Sequence, residues 1–225
     1  MIKINDSNLT NKLFNKYDIS KYFLKDVKEN LSLVKFNKGE SICYAGDALK
    51  YIHFLVEGKA KVTSPQENGK SLVVCLLHDF DIMGQLEYFA ETEYTANVEA
   101  LTDVYCFALD ISLLKTKFLD DTIFLRHISK DLANKLISNV HNLSFNLLYP
   151  LDTRLATYIL LTANEKKFDE NLTCLAELLA SSYRHLTRVL AKFCKQGILE
   201  KKSSYYEIIE YDRLKDISNR SISYY

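Results

Sequence analysis

The side chains of this sequence best suited to chemistry lie between Tyr183 and Lys202, where Arg184, Arg188, Lys192, Lys195, Lys201 and Lys202 meet a single acid, Glu200. Basic residues at that density suit a phosphate-rich surface, and the planar fork of arginine suits the O6 and N7 edge of guanine. The spacing refines the reading. Across residues 172–190, Leu175, Leu178 and Leu179 recur at helical intervals around the small Ala176, and Ser181 or Ser182 stands where it can cap a second helix. That second helix has an inner face of Leu186, Val189, Leu190 and Phe193 and an outer face of Tyr183, Arg184, Thr187 and Arg188. A recognition helix needs this division, with long donors near its N-terminal end and an apolar side that holds it to its domain. Gly197 is expected to close the helix as a left-handed cap. Beyond it, Ile198-Leu199-Glu200 and Tyr205 to Ile209 flank the polar tip Lys201-Lys202-Ser203-Ser204, which reads as the hairpin wing of a winged helix. Arg184 and Arg188 are the candidates for guanine contacts, Tyr183 and Thr187 for a thymine methyl or a phosphate, and His185, Lys201, Lys202 and Ser203 for the DNA backbone. The competing reading is an ordinary helical hairpin with a solvated basic face. The helix pair, the glycine and the basic tip occurring in this order favour the winged helix.

Other chemistries find little support. Cys43, Cys75, Cys106, Cys174 and Cys194 are odd in number and widely spaced, which fits neither a disulfide framework nor a Cys-x-x-Cys metal knuckle, so free thiols are expected. Convergence of Cys43, Cys75 and Cys106 in the fold is the alternative that would give them a redox or metal role. His53 and His78 stand alone in sequence, whereas a catalytic metal needs a close histidine pair with a carboxylate. No P-loop, dinucleotide fingerprint or nucleophile elbow appears. Neither an enzyme nor a bound metal, iron–sulfur cluster or haem is expected.

The elements that must position the basic segment follow from glycine and proline. The chain has 225 residues, which suggests two domains, and 48% hydrophobic with 26% charged residues fits a globular protein. Gly39, Gly46, Gly58, Gly69 and Gly84 separate short β-prone runs such as Tyr51 to Val56 and Lys59 to Thr63, so residues 32–110 read as an antiparallel β-roll. Asn68-Gly69 is its clearest hairpin turn. Residues 111–149 contain no glycine or proline, and Leu125, Ile128, Leu132, Leu136, Val140, Leu143 and Leu147 recur at three- or four-residue steps, which predicts a long helix. Its stripe is expected to form a coiled-coil-like dimer seam, with Asn139 and Asn142 able to fix register if they face the partner; docking on the β-roll is the alternative. Pro150 ends the helix, and Asp152 or Thr153 is expected to cap the next one. Ser218 to Tyr225 reads as a loosely docked tail. The formal charge is zero, with 12 Lys/Arg against 10 Asp/Glu in residues 150–225. No apolar run is long enough to span a bilayer and the first thirty residues lack the apolar stretch of a signal peptide, so a cytoplasmic location is expected.

These features together resemble the Crp/Fnr superfamily of bacterial transcription regulators over nearly the whole chain. The resemblance is carried by Lys38-Gly39-Glu40-Ser41-Ile42, Gly46-Asp47, Val56-Glu57-Gly58-Lys59-Ala60, Asn68-Gly69-Lys70, the cassette around Gly84, and Arg154-Leu155-Ala156. Within the superfamily the chain looks like the YeiL-type subgroup, through Asp121 to Arg126, Ile159-Leu160-Leu161, and Ser182-Tyr183-Arg184-His185-Leu186 with Val189-Leu190-Ala191. The resemblance implies an α+β chain: an N-terminal antiparallel β-roll of the cyclic-nucleotide-binding, cupin-like jelly-roll kind over residues 1–118, a dimerisation helix over 119–149, and a C-terminal winged helix-turn-helix over 150–225. It implies a homodimer on double-stranded DNA, with Leu125, Ile128, Leu132, Leu136, Asn139 and Leu143 in the dimer interface. RNA polymerase is a further partner if the protein activates, and a small-molecule effector is possible. The departures carry information. Members that bind cyclic AMP have Gly-Glu-Leu and, about ten residues on, an arginine that holds the phosphate; here Gly84-Gln85-Leu86 and Tyr94-Thr95-Ala96 stand there. Tyrosine supplies neither the charge nor the fork that binds a phosphate. The occupant expected beside Gly84, Gln85, Leu86, Tyr94 and Thr95 is therefore not a cyclic nucleotide; Tyr94 filling the space itself is one outcome. The family's usual Arg-Glu pair in the recognition helix is replaced by Tyr183 and Arg184, with Arg188 retained, which predicts a different operator. A degenerate β-roll that binds a ligand or a protein, without specific DNA binding, is the alternative function.

Overall fold

Alternating side chains on strands with both faces covered produce near-continuous apolar runs, and the computed structural model, which describes residues 1–66, 71–78 and 80–218, shows this in its first sheet. That sheet is ordered β1 (Ile2–Lys3), β2 (Leu31–Phe36), β9 (Val104–Asp110), β4 (Tyr51–Glu57), β7 (Asp81–Met83). The second is ordered β3 (Ser41–Cys43), β8 (Asn97–Ala100), β5 (Ala60–Pro65), β6 (Ser71–Leu77). All their pairings are antiparallel. On β4, Ile52, Phe54 and Val56 join a core with Phe14, Phe23, Phe118 and Phe124 from the helical segments. Leu55 turns the other way, into a second core with Phe36, Tyr94, Val98 and Cys106 between the sheets. The Asn68-Gly69 turn lies outside the described residues, but the strands it would join pair antiparallel from Ala60↔Leu77 to Pro65↔Ser71.

The sheets are accompanied by the α-helices α1 (Ser7–Lys16), α2 (Gln85–Ala90), α3 (Ile111–Lys117) and α4 (Thr122–Leu148) and by short 3-10 turns at Ile19–Tyr22 and Lys28–Asn30. The start of α4 is fixed by the buried carboxylate of Asp121. It accepts the amides of Phe124 and Leu24 at 2.9 Å and of Lys25 at 3.1 Å. Burial opposes its ionisation, but these amides together hold the carboxyl below its usual range.

The chain divides into two compact units, Met1–Asn134 and Lys135–Tyr225, and the division falls within α4. The second unit continues with α5 (Leu151–Thr162), β10 (Lys167–Phe168), α6 (Leu172–Leu178), α7 (Tyr183–Lys195), β11 (Leu199–Lys201), β12 (Tyr206–Ile208) and α8 (Tyr211–Ile217). Its sheet is ordered β10-β12-β11. Leu155, Ala156, Ile159, Leu175, Leu186, Leu190, Phe193 and Leu214 form its core. The cap expected from Asp152 or Thr153 is corrected: α5 starts at Leu151 behind Pro150, whose φ of −65° suits a helix entrance. Asp152 instead sits in the first turn and pairs with Lys192. The tail reading is corrected at its first residue. Ser218 is buried behind α8 and its Oγ donates to the Lys215 carbonyl at 2.7 Å; the rest of the tail lies outside the described residues.

Among the described residues, no helix is long and apolar enough to cross a membrane, and no three His, Cys, Asp or Glu side chains converge as metal ligands. Among the described residues no cysteine is in a disulfide: Cys43, Cys106 and Cys174 are buried and Cys75 and Cys194 half-buried. Burial raises the Cys43 thiol to about 12 and pushes Cys106 up as well, so both are protonated at neutral pH.

Candidate nucleic-acid interface

The site is built on α7, whose sequence separates an apolar from a polar face. Leu186, Val189, Leu190 and Phe193 are buried, while Arg184, His185 and Arg188 are exposed and Tyr183 is 54% exposed. Thr187 is half-buried and its hydroxyl donates to the Tyr183 carbonyl at 3.0 Å. Ser182 caps the helix, its Oγ accepting from the His185 amide at 3.2 Å. Ahead of it, Asn171 caps α6 by accepting the amides of Thr173 and Cys174 at 3.0 and 3.1 Å. The turn between α6 and α7 passes through Ala180 at φ 46°, a left-handed conformation for a residue with a Cβ. At the far end Gly197 has φ 71°, as the C-terminal cap requires.

The hairpin β11–β12 pairs antiparallel in the register Leu199↔Ile208 to Lys201↔Tyr206, with Lys202, Ser203 and Ser204 at its tip. Lys201 and Ser203 are exposed. Lys202 is engaged within the hairpin, its Nζ lying 2.7 Å from Glu200 and 3.3 Å from Glu207, and these carboxylates raise its pKa. Its charge is therefore partly matched inside the chain, which the sequence reading missed because Glu207 lies on the opposite strand. Between α7 and the hairpin is a cleft of about 340 Å³ lined by Leu172, Tyr183, Thr187, Ala191, Cys194, Lys201 and Tyr206. Tyr183, Thr187 and Lys201 thus share one surface.

In the cassette of the β-roll the polar side chains bond within the chain. A Cβ on Gly84 (φ 88°) would meet the Tyr51 carbonyl oxygen at 2.8 Å, so glycine is needed there for close approach as well as conformation. Buried Gln85 donates from Nε2 to Oδ2 of Asp131 on α4 at 3.0 Å. Tyr94 lies in the core between the sheets; its hydroxyl donates to the Tyr51 carbonyl at 3.1 Å, and burial raises it to about 12. Thr95 donates from its amide and hydroxyl to Oε1 of buried Glu87, at 3.1 and 2.7 Å. Glu87 was not among the expected residues; its position two residues after Gln85 was the available signal. Leu86 departs from expectation, since it is 53% exposed on the outer side of α2.

The stripe on α4 divides into two parts. Ile128 is buried in the core of the first unit with Leu125 and Leu132 packed against it, so Ile128 is removed from the expected dimer seam: it is already covered by its own chain. From Leu136 onward the stripe is open, with Leu136, Leu143 and Leu147 at 65%, 63% and 75% exposure and Asn139 exposed beside them. Two residues not expected to act near the site meet at the turn of the helix pair: Asn146 and Arg154 both bond the end of α6.

Comparison with known proteins agrees with this fold. Residues 33–120 match the cyclic nucleotide-binding domain model and residues 153–217 the Crp-like helix-turn-helix domain model. The chain is 31% identical over 186 residues to the regulatory protein YeiL of Escherichia coli, covering 83% of this chain and 85% of that protein. It is 21% identical to a CRP-like cAMP-activated global transcriptional regulator of Mycobacterium tuberculosis, over 83% of this chain and 88% of the other. Among solved structures, FixK2 of Bradyrhizobium japonicum superposes with a TM-score of 0.73 at 18% identity, covering 83% of this chain and 96% of that one. A CRP-family regulator of Thermus thermophilus superposes at 0.71 with 17% identity, over 85% and 100%.

Proposed function

The chain belongs to the Crp/Fnr family of DNA-binding transcription regulators, and from that premise we propose that it binds a two-fold symmetric operator as a homodimer in the cytoplasm, without a cyclic nucleotide. The observation that carries the DNA contact is the division of α7 into a buried apolar face and an exposed face with Arg184 and Arg188. Those two arginines read guanine, Tyr183 and Thr187 lie against a thymine methyl or a phosphate, and His185, Lys201 and Ser203 hold the backbone, with Lys202 a weaker contributor. The dimer uses the open part of the α4 stripe, from Leu136 through Asn139 and Leu143 to Leu147. A small domain with few phosphate contacts needs this, because the second half-site then becomes an intramolecular encounter. RNA polymerase is the further partner if the protein activates.

The absence of a free phosphate-binding group in the cassette supports the second half of the reading. Tyr94 fills the interior and Gln85 already bonds α4, so the dimer binds its operator without an additive. The test is selection of binding sites from random duplexes by the full chain, then sedimentation and gel shift on the selected site. An inverted repeat and a mass of twice the chain are expected. Leu143→Asp is expected to give a monomer with operator affinity lower by roughly 10²–10⁴-fold, the loss of avidity. A monomer that still binds the site tightly contradicts the dimer. A rise in melting temperature with cyclic AMP contradicts the self-filled cassette, since a ligand at 100 times its Kd adds about 2.7 kcal/mol to the folded state.

A further inference from the structure

The last carbonyls of a helix have no partner within it, and how they are satisfied fixes what the helix end is tied to. At the end of α6 the answer is unusual in its sources. Asn146, near the C-terminus of α4, donates from Nδ2 to the Leu178 carbonyl at 3.1 Å. Arg154, in the first turn of α5, donates from one terminal nitrogen to the Leu179 carbonyl and to Oδ1 of Asn146 at 3.3 Å. One amide and one guanidinium therefore join the end of α4, α5 and α6 at the two residues before the left-handed Ala180. The arrangement is held against a cost: Nε of Arg154 is buried with no partner among the described residues. A side chain serving only solubility would turn that group to water.

We infer that Asn146 and Arg154 are positioning residues for DNA binding, forming a polar joint that fixes the turn between α6 and α7 to the end of α4. The inference rests on the dimeric reading above. If two α4 helices meet at the seam, the joint sets where each recognition helix stands relative to the symmetry axis, and so which half-site spacing the dimer accepts. Neither residue touches DNA in this role. Arginine suits it because a guanidinium presents several donors in a fixed plane, enough to serve a carbonyl and an amide oxygen together.

The experiment is binding of the full-length protein to duplexes that carry two selected half-sites in inverted repeat, with the gap varied one base pair at a time. Wild-type protein is expected to show a sharp optimum. Asn146→Ala and Arg154→Met are expected to lower affinity at that optimum by about tenfold or more while neighbouring gaps change little, flattening the profile. Arg154→Lys, which keeps a charged donor but not the fixed plane that aims one nitrogen at both acceptors, falls between. A merely structural loss lowers binding at every gap by the same factor. If Arg154→Met fails to fold, Asn146→Ala carries the test. Variants that keep the wild-type profile shape overturn the joint alone. A wild type without any preferred gap overturns the dimeric reading, and the joint with it.

Discussion

Arg184 and Arg188 on α7 stand exposed and, among the described residues, without a side-chain hydrogen bond or ion pair, whereas Gln85, Glu87, Tyr94 and Thr95 in the cassette are all bonded within the chain. Both segments are polar, one on the surface of its unit and one in the interior of the other. The difference is in what their polar groups still lack. A surface that recognises a partner keeps donors unsatisfied in the free protein, because water holds them at little cost until the partner arrives. A buried group left unsatisfied costs about 1–3 kcal/mol, so an interior site without a resident ligand is better filled by the chain itself. Polar residues in α7 should therefore contribute to binding and not to stability, and those in the cassette the reverse.

The largest expected effect comes from emptying the cassette. Tyr94→Ala removes an aromatic ring from the core between the sheets and leaves the Tyr51 carbonyl without its hydroxyl donor. Large-to-small substitutions of this kind cost about 3–5 kcal/mol. Tyr94→Phe, which keeps the ring and loses only the hydroxyl, should cost about 1 kcal/mol. Denaturant unfolding at fixed protein concentration separates the two. If Tyr94→Ala unfolds no more easily than wild type, the ring is not what fills the interior.

His53 extends the same contrast to pH. It is 3% exposed on β4, its ring lies 5.9 Å from that of Phe36 and 5.7 Å from that of Tyr51, and Nε2 has no partner among the described residues. Burial lowers its pKa from 6.5 to about 4. The unfolded chain therefore takes up this proton near pH 6.5 and the folded chain only near 4, so stability is intact above 6.5 and is lost as pH falls through that window. The loss should reach about 3 kcal/mol at the lower end. Folding free energies measured from pH 7 to pH 4, with His53→Leu as the control whose slope is reduced, would show it. Equal slopes in the two proteins would remove His53 as the cause.

On the open side of the comparison, Arg188→Ala should leave thermal stability within about 0.5 kcal/mol of wild type, as exposed substitutions do. It should weaken the selected operator by about 1–3 kcal/mol while binding to random duplex, which rests on phosphate charge, falls far less and stays steeply salt-dependent. Competition gel shifts with the two duplexes measure the ratio. An equal loss on both would make Arg188 a backbone contact.

What could be read in advance follows the range of the interaction involved. The helix pair, the capping Ser182, Gly197 and the hairpin wing depend on residues within a few positions of one another, and local spacing exposed them. The β-roll was legible as alternating short runs between glycines. By contrast, Lys202 meets Glu207 across a hairpin, Gln85 meets Asp131 from another element, and Asn146 reaches Leu178. No periodicity encodes such pairs. Ile128 illustrates a subtler limit: a single helical stripe on α4 is covered by its own unit at one end and open at the other, and heptad-like spacing is the same in both cases. Helix α8 escaped notice because seven residues give barely two turns of pattern.

The smallest effect tests the turn that joins the two helices of the interface. Ala180 holds φ 46°, a conformation in which a Cβ crowds the following carbonyl at about 1–2 kcal/mol, while glycine adopts it freely. Ala180→Gly removes that strain but gives the unfolded chain more freedom, worth about 0.4–1 kcal/mol in the opposite direction. The balance is a gain of about 0–1.6 kcal/mol, and its midpoint corresponds to a rise of roughly 2 °C in Tm for a chain of this size. Backbone bonds already brace the turn, with the Ala180 amide donating to Glu177 at 3.0 Å and the Ser181 amide to Ala176 at 2.8 Å. Operator affinity should therefore stay within about twofold of wild type, well below the roughly tenfold that 1.4 kcal/mol represents. Calorimetry and a gel shift at matched concentration report both quantities. A higher Tm with intact affinity means the bonds to α6 orient α7 by themselves, whereas a higher Tm with weakened binding means the alanine's stiffness is part of how the recognition helix is aimed.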